Sequence, residues 1–100
     1  MLPDRQGKEN SVDRIIITVC VGSKKKEFDL EVPLDEMTSD ALQDIADSVA
    51  GVELTLWFDP EKNDLYNPRT GSRLNREKTL REECVWNGDR LRIVSRDRWQ

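Results

Sequence analysis

The chain has 100 residues, a length that suits one small domain. Charged residues make up 36% of it and its net charge is −4, so it lacks the basic surplus of a general nucleic-acid binder. It contains no histidine, which is the most common general base and a frequent metal ligand. We therefore expect a protein that is not an enzyme, with no catalytic residue, no cofactor, no metal site and no nucleic-acid partner.

Residues 1–13 are polar and show no hydrophobic period, which predicts a flexible arm. They lack the apolar core of a signal peptide, and no apolar run in the chain approaches the roughly 18 residues of a membrane span. Cys20 and Cys84 lie far apart and outside any Cys-x-x-Cys motif, which favours reduced thiols. The expected location is the cytoplasm, without direct membrane insertion.

A strand is predicted at Arg14–Val21, where β-branched residues dominate and four apolar side chains share one face: Ile15, Ile17, Val19 and Val21. The other face is partly apolar, which is typical of a central strand. Gly22 and the lysines after it predict a hairpin. Residues 26–32 then alternate apolar with charged side chains, and Pro33 is expected to end this second strand.

Residues 39–50 predict an amphipathic helix of about three turns, because five apolar residues recur at helical spacing: Ala41, Leu42, Ile45, Ala46 and Val49. The N-cap is expected at one of three residues: Thr38, Ser39 or Asp40. Asp40 and Gln43 have the spacing of a capping box. Gly51 is placed as the C-terminal stop of the helix.

Residues 52–60 fit either a short strand or a continuation of the helix, and they end at a proline. Short strands are predicted at 64–67 and 72–74, and an Asn-Gly-Asp turn at 87–89 leads into a last strand at 90–94. The helix has to cover one face of the sheet, and the last strand can pair with the first in parallel. The predicted fold class is α+β, a β-grasp with a mixed sheet of four to five strands and one helix packed on one face.

Two long segments resemble ubiquitin. Residues 28–45, FDLEVPLDEMTSDALQDI, are similar to its second strand and helix entry, and residues 74–94, LNREKTLREECVWNGDRLRIV, are similar to its stretch from the short edge strand to the last strand. The Asn-Gly-Asp turn before a basic and apolar strand resembles the bacterial YukD/EsaB group, small ubiquitin-like proteins associated with type VII secretion systems. We expect a ubiquitin-like domain at 14–95, between an arm at 1–13 and a short tail at 96–100.

This resemblance has a functional implication at the tail. Ubiquitin closes with two glycines, which let its C-terminus be adenylated, whereas residues 95–100 here read SRDRWQ and contain no glycine. The resemblance therefore implies a non-catalytic, non-conjugated protein-interaction module, an accessory or regulatory component of a bacterial type VII secretion system. The alternatives are a modifier or sulfur carrier that requires C-terminal processing, and a small structural subunit of a multicomponent enzyme.

Five residues are candidates for contact with a protein partner: Tyr66, Arg92, Val94, Trp86 and Trp99. The first three come near the positions of ubiquitin's apolar recognition patch, and alternation places Arg92 and Val94 on the sheet face away from the helix. Trp86 and Trp99 are aromatic, a residue class enriched at interface centres. The alternative interpretation is an ordinary solvated sheet face.

Other notable residues have simpler expected roles. Three aromatic residues are expected at the rim of the core, with a partner anchor as the alternative: Trp57, Phe58 and Trp86. Three lysines are expected to form a solvated turn, or else to steer an acidic partner: Lys24, Lys25 and Lys26. Both cysteines are expected to be half-buried fillers. Asp40, Asp44 and Asp47 share helical spacing but lack the pattern of a calcium loop, so no metal is expected there.

Overall fold

The computed structural model describes residues 13–22 and 26–96 of the chain. The first strand, β1, spans Arg14–Val21, and β2 spans Lys26–Pro33. They pair antiparallel along their whole length, which confirms the predicted hairpin. All four apolar residues predicted to share a face of β1 are buried. Pro33 lies at the end of β2 as its last residue, one position later than predicted.

The remaining elements complete a mixed sheet. The helix α1 spans Thr38–Val52, and three strands follow it: β3 at Asn63–Asn67, β4 at Ser72–Arg73 and β5 at Arg90–Ser95. Within the described residues the sheet has five strands in the order β2-β1-β5-β3-β4, with β1 and β5 parallel and the other pairs antiparallel. The predicted β-grasp is therefore the observed fold, with β1 and β5 at its centre.

The core lies between α1 and the face of the sheet that carries the odd-numbered residues of β1. The predicted apolar stripe of the helix is fully buried, with Leu42 and Ile45 at its middle. Leu65 of β3 and Leu91 of β5 complete the sheet side, and Leu80 contributes from the long connection before β5. Each buried side chain of this size stabilises the fold by roughly 1.5–3 kcal/mol.

Both predicted ends of α1 were wrong. The helix has Met37 at its N-cap and no side-chain cap, because the turn at residues 76–79 supplies the partners instead. The backbone N–H of Thr38 donates to the carbonyl of Lys78 at 2.9 Å, and the Thr38 hydroxyl donates to the same oxygen at 2.8 Å. At the other end the helix passes through Gly51, which lacks the positive φ of a glycine stop, and finishes at Val52.

The ambiguous segment after the helix is not a strand. It forms a 3₁₀ turn at Leu54–Leu56, in which Leu56 is buried against the core. The aromatic residues that follow differ, since Phe58 is half-buried and packs on the core whereas Trp57 is 49% exposed. The expectation of a place at the core rim is thus confirmed for Phe58 and wrong for Trp57.

Several predictions fall on residues outside the described ranges. They concern the arm at 1–12, Lys24 and Lys25, and the tail at 97–100 with Trp99. Lys26 is described, and its ammonium lies 3.8 Å from a carboxylate oxygen of Glu53. No helix in the described parts of the chain is long and apolar enough to cross a membrane.

Candidate docking surface

The sheet face opposite α1, here called the open face, brings together three of the predicted contact residues. Tyr66 of β3 and Arg92 of β5 are directly paired across the two strands. Val94 lies two residues after Arg92, so its side chain is on the same face. Arg92 is exposed, and Tyr66 and Val94 are half-buried. The structure therefore places this trio as one contiguous group.

Charge is divided across the open face. Its β2 side is acidic, with three carboxylates each bound by a neighbour: Glu27, Asp29 and Glu31. Arg90 of β5 pairs with Glu27, and the Thr18 hydroxyl donates to Asp29 at 2.7 Å. Arg92 makes no ion pair and no side-chain hydrogen bond with any residue in 13–22 or 26–96. A guanidinium on an exposed sheet face that pairs with none of the described residues can bind a carboxylate of a partner.

The Cys20 thiol lies in the middle of this face but is not prepared for nucleophilic chemistry. Burial, followed by the neighbouring Glu27 carboxylate, raises the pKa of Cys20 above its ordinary value. A raised pKa keeps the thiol protonated at neutral pH, and the thiolate is the reactive form. Both cysteines are free thiols, as predicted, and Cys20 is half-buried, but Cys84 is exposed rather than half-buried.

Trp86 lies in the loop before β5, four residues from the start of that strand. Its side chain is 61% exposed, so the expected place at the core rim was wrong. The Arg69 guanidinium stacks on the indole at 3.6 Å from the ring centroid. Arg69 is itself bound in two-pronged fashion by Asp89, with distances of 2.8 and 3.1 Å. One face of the indole is therefore covered by a cation held in place.

Asp89 organises this end of the molecule from a position that is only 6% exposed. Besides Arg69, its carboxylate accepts hydrogen bonds from the Asn67 amide at 3.0 Å and from the Trp86 backbone N–H at 2.8 Å. Burial alone would raise the pKa of Asp89, but these donors, Arg69 first, hold it below its ordinary value. The carboxylate is thus charged at neutral pH and fully engaged. We call Asn67, Arg69, Trp86 and Asp89 the Trp86 cluster.

The loop that carries Trp86 is also bonded to β1. The Asn87 side-chain oxygen accepts from the Ile16 backbone N–H at 2.8 Å, and the Gly88 N–H donates to the Ile16 carbonyl at 2.7 Å. Gly88 has a φ of +89°, which favours glycine over residues with a side chain. Ile16, 48% exposed, lies beside this loop. The loop that carries the exposed Trp86 is therefore bonded to the backbone of the strand residue whose exposed side chain is Ile16.

Sequence reasoning found Trp86 but missed the residues that hold it. Asn67 and Arg69 lie 22 and 20 positions before Asp89, and no periodicity links them. The one available signal was the polar Asn-Pro-Arg turn at 67–69, which has residues able to fold back on their own backbone. Ile16 was also missed, because it was assigned only to the less apolar face of β1.

The acidic group around the start of α1 contains one perturbed carboxyl. Burial, and then a hydrogen bond and charge repulsion from Asp44 with repulsion from Asp40, raise the pKa of Glu36 to about 7. One oxygen of Glu36 is buried and has no hydrogen-bond partner among the described residues. Across the described ranges, no three cysteine, aspartate or glutamate side chains are grouped so that they could hold a metal ion.

The architecture of this chain is similar to that of several solved structures. The ubiquitin-like domain of Plasmodium falciparum Dsk2 matches with a TM-score of 0.66 and 19% identity over 83% of this chain and 99% of that one. The chain has the ubiquitin-like fold. No protein-family model matches the sequence, and no curated protein matches it.

Two further solved structures share the ubiquitin-like fold with this chain. The ubiquitin of Caldiarchaeum subterraneum matches with a TM-score of 0.58 and 20% identity, covering 84% of this chain and 95% of that one. The ubiquitin-like domain of the Mycobacterium tuberculosis type VII secretion system protein EccD1 matches with a TM-score of 0.62 and 20% identity, covering 83% and 99%. Identities at this level establish the fold, and the open face and the Trp86 cluster have to be interpreted from this chain's own residues.

Proposed function

We propose that this ubiquitin-like chain is a non-catalytic protein-interaction module that binds its partner through the open face. The observation that carries the proposal is the exposed Trp86, held by Arg69 and by the buried Asp89. Tryptophan and arginine are enriched among the residues that dominate binding energy. A side chain that is already ordered loses little conformational entropy on binding, so more of the contact energy appears as affinity.

The proposed docking surface extends from Trp86 and Ile16 along β5 to the trio named from the sequence. Tyr66 supplies an aromatic ring with a polar tip, Arg92 supplies a charge that no residue of 13–22 or 26–96 pairs with, and Val94 adds apolar area. Apolar anchors with a charged residue beside them are typical of the centres of protein interfaces. Trp99 remains a predicted contact in the tail.

The proposed setting is the cytoplasmic side of a bacterial type VII secretion system, where the chain would be an accessory or regulatory component. Two features support it: the resemblance of the Asn-Gly-Asp turn at 87–89 and the strand after it to the YukD/EsaB group, and the fold shared with the ubiquitin-like domain of EccD1. The proposal also keeps the expected organisation, with a domain at 14–95 that acts without conjugation.

The docking surface is tested by reversing its unpaired charge. Arg92→Glu leaves the melting temperature within about 2 °C of the wild type, because Arg92 has no described partner to lose. It weakens capture of the partner identified by affinity purification and mass spectrometry at least tenfold, since attraction becomes repulsion. Lys78→Glu makes the same charge change at an exposed residue of the 76–79 turn and is the matched control.

Equal capture by wild type, Arg92→Glu and Lys78→Glu would show that the open face is not the docking surface. The proposal that the chain acts without conjugation is tested separately, by incubating the full chain with an activating enzyme and ATP. The proposal predicts an unchanged mass, and an adenylated or cross-linked product would contradict it.

A further inference from the structure

A groove of about 1120 Å³ runs beside the C-terminal half of β5. The pairing of β1 with β5 ends at Cys20↔Arg92, whereas β5 continues to Ser95, so the last residues of β5 extend past β1. There the groove is lined by apolar side chains from separate elements: Val21, Leu56, Trp57, Phe58, Ile93 and Val94. Its volume is slightly above the roughly 300–1,000 Å³ of typical small-molecule sites, which suits several consecutive residues of a peptide.

The segment that forms one side of this groove is exposed and apolar. Trp57, which lines the groove, is 49% exposed. Val52 and Leu54 do not line it but lie just before Trp57 in the chain and are 72% and 75% exposed. Contiguous exposed apolar side chains mark interaction sites in soluble proteins. The apolar part of a ligand therefore has a defined place to bind.

The charges that line the groove favour an acidic ligand. Three charged residues line it, and two of them, Arg90 and Glu27, are paired with each other. The third, Arg92, has no ion pair within the described part of the chain. Counting the described residues alone, the groove thus carries one positive charge without an ionic partner, in a protein whose net charge is −4. A carboxylate on the ligand would complement it, whereas a basic ligand would meet repulsion.

We propose that this groove binds a short segment of a partner protein that carries one or two large apolar residues beside a carboxylate. The apolar residues pack against Trp57 and Phe58, and the carboxylate pairs with Arg92. Because Arg92 and Val94 also belong to the open face, the inference rests on the proposed function and adds the chemistry of what binds at the end of β5. Trp86 and Tyr66 do not line the groove.

The test is selection of a phage-displayed library of random dodecamer peptides on the full chain, with counter-selection on Trp57→Ala. The selected peptides are expected to share a large apolar residue with an adjacent aspartate or glutamate. Their affinity, measured by fluorescence anisotropy, falls at least tenfold on Trp57→Ala and about fivefold on Arg92→Gln. Lys78→Gln, the same change outside the groove, leaves the affinity unchanged. Circular dichroism confirms that each variant is folded.

Three outcomes would overturn the groove proposal: no enrichment, selected peptides without a carboxylate, or equal binding to wild type and Trp57→Ala. A different result would contradict the proposed function, because that function depends on Trp86 as well as on Arg92. If capture of the partner protein falls on Trp86→Ala while the library selection enriches nothing, the interaction module stands and the groove proposal is wrong. If capture is unaffected by Trp86→Ala and Arg92→Glu while selected peptides bind the groove, the open face is wrong and the groove stands.

Discussion

Two exposed tryptophans lie near opposite ends of β5, and they are held in different ways. Trp86, before the strand, is fixed by the cation stacked on it and by the buried carboxylate of Asp89. Trp57, near the end of the strand, follows a single 3₁₀ turn whose bonds are the Trp57 N–H to Leu54 carbonyl contact at 3.1 Å and the Leu56 N–H to Glu53 carbonyl contact at 3.0 Å.

The comparison teaches that exposure alone does not describe an aromatic contact site. A ring held by a buried polar network is presented in its bound geometry, whereas a ring on a short turn has to be ordered when the ligand arrives. Substitutions in the Trp86 cluster should therefore lower both partner binding and the free energy of unfolding. Substitution of Trp57 in the groove should lower ligand binding with little effect on the free energy of unfolding.

The largest expected effect comes from removing the carboxylate at the centre of the Trp86 cluster. Asp89→Ala leaves the Arg69 guanidinium and two further donors without their acceptor, so we expect a loss of about 2–3 kcal/mol in the free energy of unfolding. Urea denaturation measures it. Asp29→Ala, which removes an exposed carboxylate bonded to the Thr18 hydroxyl, is the control and should cost under about 1 kcal/mol. Equal losses in the two variants would mean that the Trp86 cluster is not structurally important.

Some features of this structure could be predicted from the sequence and others could not, as β1, α1 and the Trp86 cluster show. Alternation in β1 and helical spacing in α1 identified the buried residues, because burial of one face imposes a regular period. These periods could not identify the partners of Asp89, since the partners come from another loop and are brought together only by the sheet. The predicted N-cap of α1 was wrong for the same reason, because the distant Lys78 carbonyl replaced the local side-chain cap.

The second expected effect is a pH dependence of the stability that arises from Glu36, a residue outside both tryptophan sites. The raised pKa of Glu36, about 7 against an ordinary 4.5, means that the folded state binds its proton more tightly than the unfolded state. Stability from this group is therefore complete below pH 4.5 and is lost as the pH rises to about 7. Because water screens this half-exposed carboxyl, we expect about 1 kcal/mol.

Glu36→Gln cannot ionise, so it should be more stable than the wild type at pH 8 by about that amount and nearly equal to it at pH 4. Thermal denaturation across this range measures the difference. Glu77→Gln, the same substitution at an exposed residue, is the matched control. A wild-type pH profile in Glu36→Gln would contradict the assignment of this titration to Glu36.

The smallest expected effect on stability comes from Trp57, the second tryptophan of the comparison. Trp57→Ala should lower the free energy of unfolding by at most about 1 kcal/mol, because half of the side chain is already in water and no side chain is bonded to it in the described structure. Urea denaturation alongside Asp89→Ala gives the contrast directly. A loss above about 1.5 kcal/mol would mean that Trp57 belongs to the core rather than to a ligand groove.

The central claim is that Trp86, ordered in the loop before β5, anchors a protein partner. Isothermal titration of the identified partner into wild type and Trp86→Ala tests it most directly, with Lys78→Ala as the control for an exposed side chain. We predict at least a tenfold loss of affinity for Trp86→Ala and none for the control. An unchanged affinity in a Trp86→Ala protein that remains folded would contradict the account.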